Sequence, residues 1–229
     1  MTPNVILITT DQHRWDCLGI AGHPVVQTPH LDRLAREGCW FETCVSPAPV
    51  CVAARSALLT GYPPGRIGTL RNASVIPDPD DTLAAHLARE GYFCQGIGKM
   101  HFVPRERKNG FHALVLSEET RWLRRARSAA DVAFDDYDRF LLDRGMYGWD
   151  KPPDVTYSEI KPVVSPLPTD CHVTGWCGER TVQWLRQRPP EPFFLWCSFV
   201  KPHTPFDPPA EWAGRYDPAG VPPPVRAAT

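Results

Sequence analysis

Three short apolar runs, each breaking off into charged and polar residues, limit what this 229-residue chain can fold into. The first, Asn4-Val5-Ile6-Leu7-Ile8-Thr9-Thr10, is rich in β-branched residues and is closed by Asp11-Gln12-His13-Arg14. A continuous run without polar alternation predicts a strand buried on both faces, the pattern of parallel sheets. Residues 93–97 repeat it and lead into Gly98-Lys99-Met100-His101; residues 193–200 repeat it again and lead into Lys201-Pro202-His203-Thr204-Pro205. Helical patterns lie between them. Ahead of Gly38, Thr28 reads as an N-cap, Pro29 as a first-turn residue, and Leu31, Leu34 and Ala35 as one apolar face. Residues 53–59, 82–90 and 177–188 read as further helices, the last with Val182 and Leu185 inward. Parallel strands would carry Asp11-Gln12, Lys99/His101 and Lys201/His203 to one sheet edge, where ligands sit in open α/β sheets.

Composition narrows the function. Hydrophobic residues at 42% and charged residues at 22% are ordinary for a globular protein. With 25 basic against 26 acidic residues the net charge is −1, so a nucleic-acid partner is not expected. No apolar run approaches the roughly 18 residues of a membrane span, and the first strand begins without a basic and apolar leader, so a cytoplasmic location is expected. The eight cysteines are scattered, with no CxxC pair, and read mostly as small buried hydrophobes. Twenty-six prolines, about twice the usual share, predict many ordered loops. Residues 104–168 read as an inserted helical and loop region, in which Trp122, Tyr147 and Trp149 offer stacking surface to a sugar or aryl group.

The segment Cys51-Val52-Ala53-Ala54-Arg55-Ser56-Ala57-Leu58-Leu59-Thr60-Gly61 carries the most chemistry. It places a cysteine at the head of a helix and an arginine one turn later. Helix N–H groups and the helix dipole favour an anion there. Arg55 adds a bidentate donor for a tetrahedral oxyanion, and a thiol in that setting is activated.

This segment resembles the Cys-x-Pro/Ala-x-Arg signature of the sulfatase family. Pro3 through Gln12 is similar to the family's opening strand and metal site, and residues 28–38 to the helix that follows it. Gly91-Tyr92 through Gly98-Lys99-Met100-His101 is similar to its second signature. Lys201-Pro202-His203-Thr204-Pro205-Phe206 is similar to a later segment supplying an active-site histidine.

The resemblance implies an α/β fold of the alkaline-phosphatase type, a central, mainly parallel sheet between helices. It also implies hydrolysis of a small-molecule or saccharide sulfate ester. Cys51 would be oxidised to formylglycine by a separate maturation enzyme, and its hydrated aldehyde would attack sulfur. Asp11, Gln12 and modified Cys51 would ligate a divalent cation, calcium or else magnesium or manganese. Lys99 would bridge nucleophile and substrate oxygens, His101 would tune the nucleophile, and His203 would contact the sulfate or assist the leaving oxygen. Asn72 matches a substrate-binding asparagine of related phosphonate hydrolases.

Two departures keep alternatives open. Gln12 replaces the usual second acid, a form shared by some sulfatases and by phosphonate monoester hydrolases, so phosphonate or phosphodiester substrates remain possible, while Lys99 and His101 point back toward sulfate. The later Asp-Asn or Asp-His pair that completes the family's metal site has no counterpart after His203; Asp207 and Asp217 sit in proline-rich loops. Residues 1–229 therefore read as the N-terminal portion of a sulfatase catalytic domain, and a non-catalytic metal- or anion-binding fragment is the further alternative.

Overall fold

The computed structural model describes residues 2–118, 135–150 and 162–223; the basic run 121–127 and Trp122 lie outside them. Four parallel strands form one sheet in the order β1-β4-β2-β3: β1 (Val5–Asp11), β2 (Phe93–Gly98), β3 (Ala113–Leu116) and β4 (Phe193–Pro202). Chain order and spatial order differ, so β4 returns from the end of the sequence to lie between β1 and β2. The expectation that three polar clusters meet at one edge follows from this arrangement.

Period-2 alternation along β4 builds two cores, because successive side chains leave a strand on opposite faces. Phe193, Leu195 and Cys197 pack with Ile97, Tyr137, Leu141 and Trp176 under α5 (Asp136–Asp143) and α6 (Val173–Arg186). Phe194 and Trp196 pack with Leu59, Ala84, Cys94 and Phe111 on the other face. That face is covered by α2 (Cys51–Thr60) and α4 (Leu83–Arg89). Among the described residues three short or peripheral α-helices complete the set: α1 (Pro29–Glu37), α3 (Pro64–Ile67) and α7 (Ala210–Ala213). The eight cysteines are all free. Among the described residues no helix is long and apolar enough to cross a membrane.

Several local expectations are corrected. β1 is not buried on both faces: Ile6 and Ile8 keep 47% and 57% of their surface exposed, because β1 is an edge strand covered by no described helix. For the same reason Leu31 and Leu34 of α1 are exposed. Thr28 precedes α1, but its hydroxyl donates to Asp32 (2.7 Å) and accepts from Gly19 N–H, which draws it away from the cap. Helix α6 starts at Val173 behind His172, turning Trp176 and Cys177 inward and leaving Val182 at the surface. Residues 113–116, within the stretch read as an insertion, form β3; four residues carry too little pattern to announce a strand.

Candidate active site

At the end of β1 the pairing register shifts between Thr10 and Asp11, and Gln12 takes a left-handed φ of 63°. This lifts the chain away from β4 just where the carboxylate is needed. Asp11, 9% exposed, meets the Lys99 ammonium at 2.6 Å and the Arg55 guanidinium at 3.2 Å. Burial alone raises the pKa of a carboxyl. Here the Lys99 and Arg55 charges outweigh it and hold Asp11 below its ordinary value.

Cys51 is the first residue of α2, and its Sγ lies 3.8 Å from Asp11 Oδ1. Arg55, one turn on, is buried and spent on the frame: Nη1 donates to Lys99 O and to Ser198 Oγ (2.9 Å), and Nη2 to Asp11. It also lies over the Trp196 ring, 5.6 Å from the centroid. The expectation of an open bidentate donor is thus corrected; Arg55 fixes its neighbours. Asn72 accepts the Val52 N–H on Oδ1 (3.2 Å), one of the orphan donors in the first turn of α2.

Lys99 is only 1% exposed and is delivered by the end of β2. Its N–H donates to Ser198 O (2.9 Å), and the residue before it must be glycine. A Cβ on Gly98, whose φ is +98°, would sit 2.0 Å from Ser198 O. His101 follows with a left-handed φ of 58°. The turn is clamped by Glu118, whose Oε1 accepts the N–H groups of both Met100 (2.9 Å) and His101 (2.8 Å). Burial pushes the Glu118 carboxyl up to about 6, against the opposing pull of those N–H groups and of Arg55.

His203, after β4, is 6% exposed, and its Nδ1 donates to Thr204 O (2.8 Å), since a carbonyl can only accept. In the neutral ring that leaves Nε2 as the basic nitrogen. Gln12, Cys51, Arg55, Asn72 and His203 all line one open cavity of about 1080 Å3, with Val45, Leu58 and Trp196 as its apolar walls. Lys99 lies beneath Asp11 rather than in the wall, and His101 does not line the cavity. Tyr147 packs against the α5–α6 core, and Trp149 is also absent from the lining. Ser198 and Glu118 were not legible in the sequence; a serine inside a strand and a glutamate in a loop carry no pattern.

The implied cation is poorly served. Among the described residues no group of three or more His, Cys, Asp or Glu gathers as a metal cage. Asp11 Oδ2 is occupied by Lys99 and Arg55. Calcium takes about six to eight oxygens and magnesium about six; one carboxylate, one amide and residue 51 fall short. These residues by themselves do not fit the ion.

A sequence model of the Sulfatase family matches residues 3–220. The chain is 35% identical over 237 residues to an arylsulfatase of Clostridium perfringens, covering 98% of this chain and 48% of that protein. It is 38% identical over 125 residues to human N-acetylgalactosamine-6-sulfatase, covering 49% of this chain and 23% of that protein. The crystal structure of a phosphonate monoester hydrolase of Agrobacterium radiobacter superposes with a TM-score of 0.78 at 28% identity, covering 99% of this chain and 46% of that one. The fold is α/β, with neighbours among alkaline-phosphatase-like sulfatases and phosphonate hydrolases. The chain belongs to the sulfatase family. It spans about half the length of the clostridial relative.

Proposed function

We propose that this chain carries the nucleophile-bearing part of a sulfuric ester hydrolase, with Cys51 converted to formylglycine by a separate maturation enzyme. The observation that supports the reading is the convergence of Cys51 on a carboxylate, Asp11, held by two buried cations. Formylglycine would supply a hydrated aldehyde, with one hydroxyl to displace the alcohol from sulfur and a second whose deprotonation would let sulfate leave as the aldehyde is restored. Lys99, ion-paired with Asp11, supplies positive charge that would stabilise the nucleophile and the sulfate oxygens of a bound substrate. Arg55 keeps Lys99 and Asp11 in place. His203 would take a proton on Nε2 and, as the imidazolium, give it to the leaving oxygen, a contribution of typically about 10²- to 10⁴-fold. Asn72 lines the same cavity as a substrate contact. His101 acts through the turn it shares with Lys99. Calcium, magnesium or manganese enters this reading only with ligands beyond Asp11, Gln12 and residue 51.

The arylsulfatase and the sugar sulfatase among the relatives suggest aryl and saccharide sulfates as the first substrates to test. A second reading, phosphonate monoester hydrolysis, is favoured by the superposition over 99% of the chain. The experiment pairs 4-nitrophenyl sulfate with 4-nitrophenyl phenylphosphonate on protein co-produced with a maturation enzyme, beside a Cys51→Ala control. Faster sulfate turnover, lost in the control, is expected. Faster phosphonate turnover moves the assignment to the second reading, and no turnover of either leaves an anion-binding fragment.

A further inference from the structure

A second cavity, of about 430 Å3, shares the loop that carries His203. His203 and Thr204 line the candidate active site, whereas Lys201, Pro205, Phe206 and Asp207 line this one. None of its groups takes part in the chemistry proposed above.

Its walls and its polar groups are of opposite character. Pro202, Pro205, Phe206 and Trp212 present an apolar, mostly flat-sided lining, and Phe206 and Trp212 are still partly open to solvent. The polar groups are His172 and Asp207, 5% and 7% exposed, with His172 Nε2 3.9 Å from Asp207 Oδ1. That separation is too long for a hydrogen bond. His172 Nδ1 accepts the Thr174 N–H at the start of α6 (3.3 Å), so the neutral ring carries its proton on Nε2. Nε2 is then a buried donor without an acceptor, a condition that costs free energy until something fills it. Lys201 Nζ lies 2.5 Å from Asp207 Oδ1 and also donates to Pro205 O (2.7 Å). The lysine and aspartate charges therefore cancel, and the cavity offers no net charge to draw in an ion.

One functional group meets both demands in one place: a hydroxyl, which accepts from Nε2–H and donates to the carboxylate. Water satisfies the polar pair as well, but gains nothing from proline and aromatic walls. A flat apolar body gains from them, and the volume falls within the usual range of small-molecule sites, about 300–1000 Å3. We propose that this cavity binds a small hydroxylated aromatic molecule of one or two rings. Its hydroxyl bridges His172 and Asp207, and its ring lies against Phe206 and Trp212. The site is separate from the sulfate ester reading and needs no turnover.

Isothermal titration of the whole chain with 4-methylphenol tests this, with toluene as the probe that keeps the ring and loses the hydroxyl. One saturable site for 4-methylphenol is expected, with toluene weaker by roughly tenfold, the worth of about one hydrogen bond. His172→Phe removes the donor and should weaken 4-methylphenol while leaving toluene unweakened, so that the gap between the two probes narrows. Trp212→Ala, at a position half in solvent and tolerant of change, should weaken both probes and keeps the test decisive if the histidine variant does not fold. Absence of saturable binding would overturn the proposal and leave a water-filled cavity. Binding unchanged in Trp212→Ala would also overturn it, by placing the phenol elsewhere, including the candidate active site.

Discussion

One sheet has two unlike sides. Along β4 and β2 the side chains are sealed, with Phe194, Leu195, Trp196 and Cys94 wholly buried between helices. Along β1 and α1 the large apolar residues Ile6, Ile8, Leu31 and Leu34 stand open, joined by Phe41 and Val45 of the following loop. The candidate site lies on the seam. Its cations hang from the sealed side, where Ser198 receives both Arg55 and the Lys99 N–H. Its carboxylate and its amide, Asp11 and Gln12, come from the open side. The electrostatics are thus fixed by the packed strands, while the outer wall of the cavity is the part the described residues leave unfinished.

The largest effect should come from the sealed side. Trp196 packs against Phe102 and Phe111, and its indole N–H donates to Thr9 (2.9 Å). Trp196→Ala should cost about 3–5 kcal/mol in urea unfolding, whereas Ile8→Ala on the open strand should cost no more than about 0.5 kcal/mol. Equal costs would erase the contrast between the two sides. At the seam, Lys99→Met leaves the buried Asp11 carboxylate to Arg55 alone and should destabilise by about 1–3 kcal/mol. Any sulfate turnover should fall by about 10²- to 10³-fold with it; a variant as stable and active as the parent would remove Lys99 from the account.

Two of the buried carboxylates, Glu118 and Asp11, should respond to pH with opposite signs. Glu118 titrates near 6 against an ordinary 4.5. It contributes stability fully below pH 4.5 and loses it as pH rises through 6, a change of about 2 kcal/mol at 1.36 kcal/mol per unit. Asp11 is depressed, so its contribution is present above about 3.8 and is lost as pH falls. Unfolding midpoints of the Glu118→Gln variant against pH check the first sign: the parent's decline between pH 4.5 and 6 should disappear. Smaller again, Asn72→Ala removes one hydrogen bond to the first turn of α2 and should cost about 1 kcal/mol. Smallest of all, millimolar calcium should leave the thermal midpoint of this chain unmoved, because the ligand set is short; a clear upward shift would show a binding site the described residues do not explain.

The split between sealed and open also explains what the sequence disclosed. The three apolar runs announced three of the four strands and their common polar edge, because a parallel strand ends abruptly in its loop. Cys51, Asp11, Lys99 and His203 were legible as a set for that reason and because the spacing around Cys51 is distinctive. β1 misled, since a continuous apolar run looks the same whether both faces are covered or one is left open. Arg55 misled in another way: its position at a helix head suggests a ligand donor, but Ser198, Lys99 and Asp11 claim its hydrogen bonds, and those partners lie 44 to 143 residues away. Glu118 was hidden because the Met100 and His101 groups that its carboxylate clamps are backbone N–H groups, which carry no residue signature.

The mass of the proteolytic peptide containing residue 51, from protein made alongside a formylglycine-generating enzyme, bears most directly on the role given to that position. The account predicts an aldehyde, lighter than the encoded cysteine and trapped as a hydrazone by a hydrazide probe. An intact thiol in a preparation that still hydrolyses aryl sulfate would contradict it.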